Sequence, residues 1–220
     1  SMTLTRYRAG AFLAAVLAMT VAVAGCGGKS TNATQAGSTT TPRNIAQITI
    51  GWPAQISTLD PDLAEDFAAD SGLHLIGGNL FEKLQSGSIA PGLAISNAVS
   101  PDQLTWTFKL RPGLKFSNGM ALTSGDVKAT IERSMHNKAN VWAGYFADIR
   151  VVDAPAPDTV VIRLTRPYPD LLAVLTEPEF AILPASGIAK GESFFKAPVS
   201  AGPYKLTSWA VSYTHLRAHE

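Results

Sequence analysis

Seventeen consecutive uncharged residues near the start of the chain, Ala9–Gly25, most limit what it can fold into. Arg6 and Arg8 precede this run, and Cys26, the only cysteine among 220 residues, follows it directly. As a helix the run would be about 26 Å long, shorter than the ~30 Å hydrocarbon core of a bilayer. A basic segment followed by such a run is typical of a signal peptide. With one cysteine, no disulfide within the chain can stabilise the fold.

Small residues lead into the cysteine as Val23-Ala24-Gly25-Cys26, a pattern that resembles the lipobox of bacterial lipoproteins. The resemblance implies cleavage before Cys26 and a diacylglycerol thioether on its sulfur, and two acyl chains suffice for stable membrane attachment. We therefore expect residues 1–25 to be a lipoprotein signal peptide. The mature protein would be an extracytoplasmic lipoprotein, anchored at the cell surface or in the periplasm. The alternative is that Cys26 is a small apolar residue inside an anchor helix.

The residues after the cysteine divide into a polar segment and a longer segment of mixed composition. Residues 27–44 contain no large apolar side chain, so we expect residues 26–44 to be a flexible tether. Residues 45–209 are numerous enough for one domain. Between residues 27 and 209, 15 Lys and Arg stand against 16 Asp and Glu, and this net charge of −1 gives no basic field for nucleic acid.

Hydrophobic periodicity predicts the first elements of this domain. Alternating apolar side chains predict a strand over residues 46–52, and a 3.6-residue period predicts a helix over residues 70–84. The apolar stripe of that helix consists of Leu73, Ile76, Leu80 and Leu84, with Phe81 beside it. Gly77 and Gly78 lower its intrinsic helix propensity. Their presence indicates that another stretch of backbone approaches closely at this point.

The clearest strand in the chain is Leu104–Leu110, LTWTFKL, in which apolar and polar side chains alternate. Turns are predicted at Pro112-Gly113 and Asn118-Gly119, with a short second strand, LKF, between them. We therefore expect a half-buried antiparallel sheet in this part of the domain.

A helix start is indicated by Thr123, an N-cap residue, with Asp126 in the position of a capping-box partner. The apolar face that follows consists of Val127, Ile131 and Met135. Residues 149–153 and 159–164 are short apolar strands on either side of a proline-stiffened connection. These elements together predict a mixed α/β fold with antiparallel strand pairs.

Four segments, in order along the chain, resemble the extracytoplasmic solute-binding proteins of the dipeptide, oligopeptide and nickel class. The most specific is residues 104–135, LTWTFKLRPGLKFSNGMALTSGDVKATIERSM, which resembles that family's signature. APGLAISNAVSPDQLTWTF resembles the segment upstream, TLDP with NLFEKL resembles the start of the mature fold, and AGPYKLTSW resembles a Gly-Pro-Tyr segment near its middle. Asn118, where Asp is common, and VSA before Gly202, where Gly-Thr is usual, are mild departures.

The resemblance implies a periplasmic-binding-protein-like fold of type II, with two lobes that close around ligand about a hinge. It implies a binding protein with no cofactor, not an enzyme. The ligand would be a short peptide or another small solute, and the partners would be the membrane subunits of an ATP-binding cassette (ABC) importer. Dipeptides, oligopeptides, nickel chelates and sugars remain open as solutes. Because chains of this family are much longer, residues 45–209 are expected to be the N-terminal portion of the solute-binding domain.

Three groups of residues are candidates for ligand contact. The first follows the first predicted strand, where α/β sheets open their crevices. The second lies at the predicted close approach, and the third is an aromatic group at helical spacing, a pattern that also occurs in ordinary cores. The candidates are Thr58, Leu59, Asp60, Gly78, Asn79, Leu80, Trp142, Tyr145 and Phe146.

Other motifs permit alternatives. Ser193 and Lys196 fit S-x-x-K, so the alternative function is a membrane-tethered serine acyl-transfer enzyme of the penicillin-recognising type, although the S-D-N and K-T-G partner motifs are absent. An acidic run could hold a cation, but it lacks the glycine spacing of an EF-hand, and we expect a solvated loop leading into a helix start instead. This run consists of Asp62, Glu65, Asp66 and Asp70. His74 and His136 are isolated, and no metal site is expected.

The end of the chain, residues 210–220, departs from the family pattern. His215 and His219 are spaced four apart, as in helical zinc sites, and His219-Glu220 begins the pattern H-E-x-x-H. The same residues, however, resemble a translated sequencing adaptor. We expect residues 210–220 to be a non-native tail.

Overall fold

The computed structural model describes residues 54–210 and 213–218. The predicted signal peptide, Cys26, the predicted tether and the strand predicted over residues 46–52 lie outside the described residues. Within the described part of the chain, no helix is both long enough and apolar enough to cross a membrane.

Short helices and strands alternate along the described chain. The helices are α1 (Phe67–Ile76), α2 (Ser124–His136), α3 (Ala143–Phe146), α4 (Leu171–Val174), α5 (Ala185–Ile188) and α6 (Glu192–Phe195), with a 3₁₀ turn at Pro178–Phe180. The strands are β1 (Phe81–Lys83), β2 (Ile89–Pro91), β3 (Ala94–Val99), β4 (Thr105–Leu110), β5 (Ile149–Ala156), β6 (Thr159–Leu164), β7 (Tyr204–Ala210) and β8 (Tyr213–Ala218).

The main sheet has four antiparallel strands in the order β3-β4-β6-β5. In β4 the side chains of Trp106, Phe108 and Leu110 are buried, whereas Lys109 is exposed and donates a hydrogen bond to Thr159 on β6 (2.8 Å). The predicted strand is therefore confirmed, and the two short strands predicted over residues 149–153 and 159–164 pair with each other as β5 and β6. Helix α2 packs on β5 and β6, and its buried face includes Ile131.

The predicted capping box starts α2 at Ser124. The carboxylate of Asp126 accepts hydrogen bonds from the backbone N–H of Thr123 (2.9 Å) and from its hydroxyl (3.1 Å). The other carboxylate oxygen of Asp126 accepts a hydrogen bond from the backbone N–H of Ala185 (3.0 Å), which holds the start of α5 against α2. One acidic side chain thus satisfies donors at two helix ends.

The helix predicted over residues 70–84 is wrong at both ends. Helix α1 begins at Phe67, because Asp66 accepts a hydrogen bond from the backbone N–H of Ala69 (2.8 Å) as N-cap, and it ends at Ile76. Leu80 is buried in the main core instead, and Phe81 opens β1. The glycine pair ends the helix because its backbone packs against another segment, as described below.

The turns and the end of the chain differ less from expectation. Gly113 and Gly119 both have positive φ angles, as the predicted turns require. The short strand predicted between them is reduced to one bridge, Lys115 to Ala121.

Strand β7 pairs antiparallel with β8. The expectation that residues 210–220 are not native stays a prediction, which the genomic sequence past the codon for Trp209 tests.

Candidate functional site

The loop that contains Thr58, Leu59 and Asp60 is held by its own short side chains. The backbone N–H of Asp60 donates to the Thr58 hydroxyl (3.0 Å), and the N–H of Asp62 donates to the Asp60 carboxylate (3.1 Å). Leu59 is buried in a small core formed around α1. The loop therefore has one compact shape, and Thr58 is the member of the predicted trio that keeps partial exposure.

A buried ion-pair network joins this loop to α2. Arg133 lies 2.6 Å from Asp60 and 2.9 Å from Asp62, and its guanidinium carbon lies 4.7 Å from the ring centroid of Phe195. Asp62, only 1% exposed, also accepts a hydrogen bond from Ser134 (2.6 Å). Burial raises the pKa of the Asp60 carboxyl above its ordinary value, and the hydrogen bond from Arg133 partly offsets this effect.

The expectation of a solvated acidic loop is therefore wrong for Asp62. Its carboxylate is neutralised within the fold because α2 brings Arg133 to it. Asp66, in contrast, caps α1, as a helix start requires. Among the described residues, no group of three or more His, Cys, Asp or Glu side chains is arranged to hold a metal ion.

The second predicted group, Gly78, Asn79 and Leu80, lies at a close approach between two backbone segments. A Cβ atom at Gly78 would lie 2.7 Å from the carbonyl oxygen of Ala201. The backbone N–H of Gly202 donates to the carbonyl oxygen of Ile76 (2.8 Å). The predicted close approach is confirmed, and the partner is the Gly-Pro-Tyr segment.

Asn79 extends this contact. Its side-chain amide donates hydrogen bonds to the backbone carbonyls of Glu177 (2.6 Å) and Leu175 (3.3 Å). The 3₁₀ turn at Pro178–Phe180 is thereby tied to the end of α1. All three members of the predicted group have packing or hydrogen-bonding partners within the described chain.

The aromatic group of α3 forms a stack. The rings of Trp142 and Tyr145 lie parallel with centroids 6.0 Å apart, and Phe146 stacks on Phe180 at 4.3 Å. The indole N–H of Trp142 donates to the carbonyl oxygen of Ala64 (2.8 Å). Phe146 is buried, whereas Trp142 and Tyr145 are half-buried. The stack therefore joins the main core to the loop before α1 and leaves two aromatic surfaces partly open.

Glu179, which the sequence analysis did not single out, is the most unusual side chain in this region. It is 7% exposed, and its Oε2 atom has no hydrogen-bond partner among the described residues. Burial, with smaller contributions from the charges of Asp70 and Glu177, raises its pKa from 4.5 to about 7. The available signal was a pair of acidic residues, Glu177 and Glu179, within the mostly apolar run LLAVLTEPEFAILP.

The structure thus brings the first and third predicted groups together around the start of α1. It places the second group at the other end of α1, tied to the turn that carries Glu179. Which of the nine predicted residues contact a ligand stays a prediction. Trp142 and Tyr145 are the two of them with large half-exposed side chains.

The S-x-x-K motif lies on α6. Ser193 is exposed, and its hydroxyl donates to the backbone carbonyl of Lys190 (3.0 Å). Lys196 is also exposed, and no hydrogen bond joins it to Ser193 in the described part of the structure. The arrangement lacks the nucleophile-to-base hydrogen bond that an acyl-transfer site uses.

Comparison with known proteins gives a consistent assignment. Residues 88–220 match the family model for bacterial extracellular solute-binding proteins, family 5, middle region. Glutathione-binding protein GsiB of Escherichia coli O1:K1 is 31% identical over 166 residues, which cover 74% of this chain and 32% of GsiB. A protein of Brucella ovis, provisionally named an ABC transporter peptide-binding protein, is 37% identical over 146 residues, 63% of this chain and 27% of that protein.

Solved structures show the same fold. AgaA of A. tumefaciens R10, solved with agropinic acid, has a TM-score of 0.71 at 32% identity and covers 76% of this chain and 34% of AgaA. Haemophilus influenzae OppA, solved with the peptide RPPGFSPFR, has a TM-score of 0.69 at 25% identity, over 76% of this chain and 37% of OppA. This chain spans about a third of the length of these relatives. The predicted family is confirmed: the chain belongs to family 5 of the bacterial extracellular solute-binding proteins.

Proposed function

We propose that this chain is the N-terminal part of an extracytoplasmic lipoprotein that captures a short peptide and delivers it to an ABC importer. The observation that carries the proposal is the family match over residues 88–220. The described fold supports the same reading, since its TM-score of 0.71 against AgaA rests on 76% of the chain.

The choice of a peptide as the solute follows the relatives that are named for one. OppA was solved with a nine-residue peptide, the Brucella ovis relative is provisionally named peptide-binding, and GsiB is named for glutathione, itself a modified tripeptide. AgaA, in contrast, was solved with agropinic acid, which is not a peptide. A short peptide is therefore the first solute to test.

The proposed organisation is that of the sequence analysis. Residues 1–25 would be the signal peptide, residues 26–44 the tether, and residues 45–209 the N-terminal portion of the binding domain. The supporting observations are the charge-free run before Cys26 and the lack of large apolar residues in 27–44.

Peptide capture is tested by calorimetry on the protein expressed from the genomic reading frame that encodes this chain, hereafter the genomic-length protein. Tri-alanine, tri-lysine, a nickel–histidine chelate and agropinic acid are titrated separately. We expect saturable one-to-one binding of a tripeptide without chemical conversion. Binding of the chelate or of agropinic acid alone would contradict the peptide assignment, and turnover of a bound solute would contradict a binding protein.

Lipid anchoring is tested by Cys26→Ser in the bacterium that carries the gene. Without the sulfur there is no site for the thioether, so we expect the protein to leave the membrane fraction or to remain as an uncleaved precursor. Ser30→Ala, four residues downstream in the tether, is the matched control and should stay anchored. A cleaved Cys26→Ser protein that remains in the membrane fraction would show that the anchor lies elsewhere.

A further inference from the structure

The 3₁₀ turn that carries Glu179 packs on α1, which carries Asp70, and Glu177 directly precedes the turn; we name these three residues the Glu179 cluster. Burial is the main cause of the raised pKa of Glu179, and the charges of Asp70 and Glu177 add smaller contributions. His74 pairs with Asp70 at 3.9 Å. Within the described chain, no Lys, Arg or His pairs with Glu177 or Glu179. The cluster therefore carries more negative charge than the described residues neutralise.

Glu179 is the independent observation that turns this acidic cluster into a candidate site. Its side chain is more than nine-tenths buried, and its Oε2 atom has no hydrogen-bond partner in the described structure. A buried carboxylate without a partner is costly, whereas the other buried carboxylates, Asp60 and Asp62, are both satisfied by Arg133. The Oε2 atom of Glu179 can therefore accept a hydrogen bond from a donor outside the described residues.

The surroundings favour an organic cation as that donor. Phe180, next to Glu179, packs against Tyr145 with ring centroids 6.5 Å apart, so the turn lies beside the Trp142–Tyr145 stack. Half-exposed aromatic rings attract ammonium and guanidinium groups. A metal ion is less well matched, because the described residues form no group of three or more metal ligands.

We propose that Glu179, assisted by Asp70 and Glu177, binds a positively charged side chain of the captured solute. The favoured solutes are then short peptides that contain lysine or arginine. This inference rests on the proposed function, because it assumes that a peptide is captured. It adds a selectivity for side-chain charge and a residue that produces it.

The test uses two peptides that differ only in side-chain charge. Tri-lysine and tri-(Nε-acetyl-lysine) have the same backbone, length and free amino terminus, so a difference in affinity reports the side chains. Each is titrated into the genomic-length protein, into Glu179→Gln and into Glu132→Gln. Glu132 is the matched control, because its exposed carboxylate on α2 already pairs with Lys128 (3.6 Å).

We expect the unmodified protein to bind tri-lysine at least about tenfold more tightly than the acetylated peptide, because a buried carboxylate gains a charged partner. Glu179→Gln should lose this preference and keep its affinity for the acetylated peptide, which also shows that the variant folds. Glu132→Gln should keep the preference. In the unmodified protein the preference should weaken between about pH 8 and about pH 5.5, since lysine stays protonated while the carboxyl titrates.

Three outcomes would overturn the inference. Equal binding of both peptides would leave peptide capture intact and remove only the charged subsite. A preference that survives in Glu179→Gln would assign the selectivity to other residues. Failure of both tripeptides and of tri-alanine to bind would overturn the proposed peptide class itself, together with this inference.

Discussion

The side chain of Arg133 holds together segments that are distant in the sequence. It contacts two buried carboxylates from the loop before α1 and an aromatic ring from α6. Three segments that are distant in the sequence therefore share one cation. Because the two carboxylates lose most of their hydration in the folded state, they depend on this partner.

We predict that Arg133→Met lowers the free energy of unfolding by about 3–5 kcal/mol, because Asp60 and Asp62 would remain buried without their cation. Urea unfolding of the genomic-length protein at neutral pH measures the change. Lys128→Met is the control, since its ion pair with Glu132 is exposed and should contribute less than about 1 kcal/mol. Equal losses in the two variants would contradict a special role for the buried network.

Glu179 should make stability depend on pH. Its pKa of about 7 in the folded protein lies above the ordinary value of 4.5, so the folded state holds the proton more tightly. Stability should therefore be highest below about pH 4.5 for this group and should fall as the pH rises towards 7. The cause is burial, assisted by the nearby charges of Asp70 and Glu177.

We predict that Glu179→Gln removes this pH dependence and stabilises the ligand-free protein at pH 8 by an amount on the order of 1–3 kcal/mol. Urea unfolding at several pH values, compared with Glu132→Gln, measures the effect. Stability curves for the unmodified protein and Glu179→Gln that run parallel from pH 5 to pH 8 would show that the carboxyl does not titrate abnormally.

At the scale of elements, the contact between the end of α1 and the Gly-Pro-Tyr segment determines where the helix stops. The backbones of Gly78 and Ala201 approach so closely that no side chain fits between them. The hydrogen bond from Gly202 to Ile76 occupies the last carbonyl of the helix. Two glycine-containing motifs, more than a hundred residues apart, thus form one joint.

We predict that Gly78→Ala lowers the free energy of unfolding by about 1–3 kcal/mol, because the new methyl group would displace the Ala201 backbone. Gly125→Ala is the matched control in the first turn of α2, where the nearest atom to an added Cβ lies at 3.4 Å and φ is helical. It should be neutral or stabilising by up to about 1 kcal/mol. Equal stability of the two variants in urea would contradict the close packing.

At the scale of the whole molecule, apolar side chains are exposed beside the loop that Arg133 holds. Leu63, Phe67 and Val141 are exposed, Phe67 to 68%. The backbone N–H of Val141 donates to the carbonyl oxygen of Asp62 (3.0 Å), so Leu63 and Val141 are neighbours. The match covers only 32% of GsiB, so that relative has further chain available to cover such a surface.

We predict that residues 45–209, produced alone, self-associate through this surface and that the genomic-length protein does so less. Light scattering over a range of protein concentrations measures association. The double variant Leu63→Ser, Val141→Ser should reduce association of the segment. The control double variant, Ile89→Ser with Ile95→Ser, replaces two other exposed apolar residues and should reduce association less. If the control reduced association more, the self-associating surface would lie elsewhere.

The sequence by itself determined the features that depend on residues a few positions apart. The alternation in β4, the capping box of Thr123 and Asp126, and the two strands β5 and β6 were all predicted and are confirmed. The ordered motifs also identified the family. For each of these elements, the side chains that define it lie within the element or at its end. The spacing of residues along the sequence is therefore enough to predict the element.

Only the tertiary structure decided the features whose partners are distant in the chain. Asp60 and Arg133 are 73 residues apart in the sequence. The spacing of the acidic residues alone therefore did not predict that they would form ion pairs with Arg133. Periodicity extended α1 to Leu84, whereas a backbone contact with Ala201 ends it at Ile76. Glu179 is unusual only in the folded protein, where its carboxyl group is buried and its Oε2 atom has no hydrogen-bond partner among the described residues.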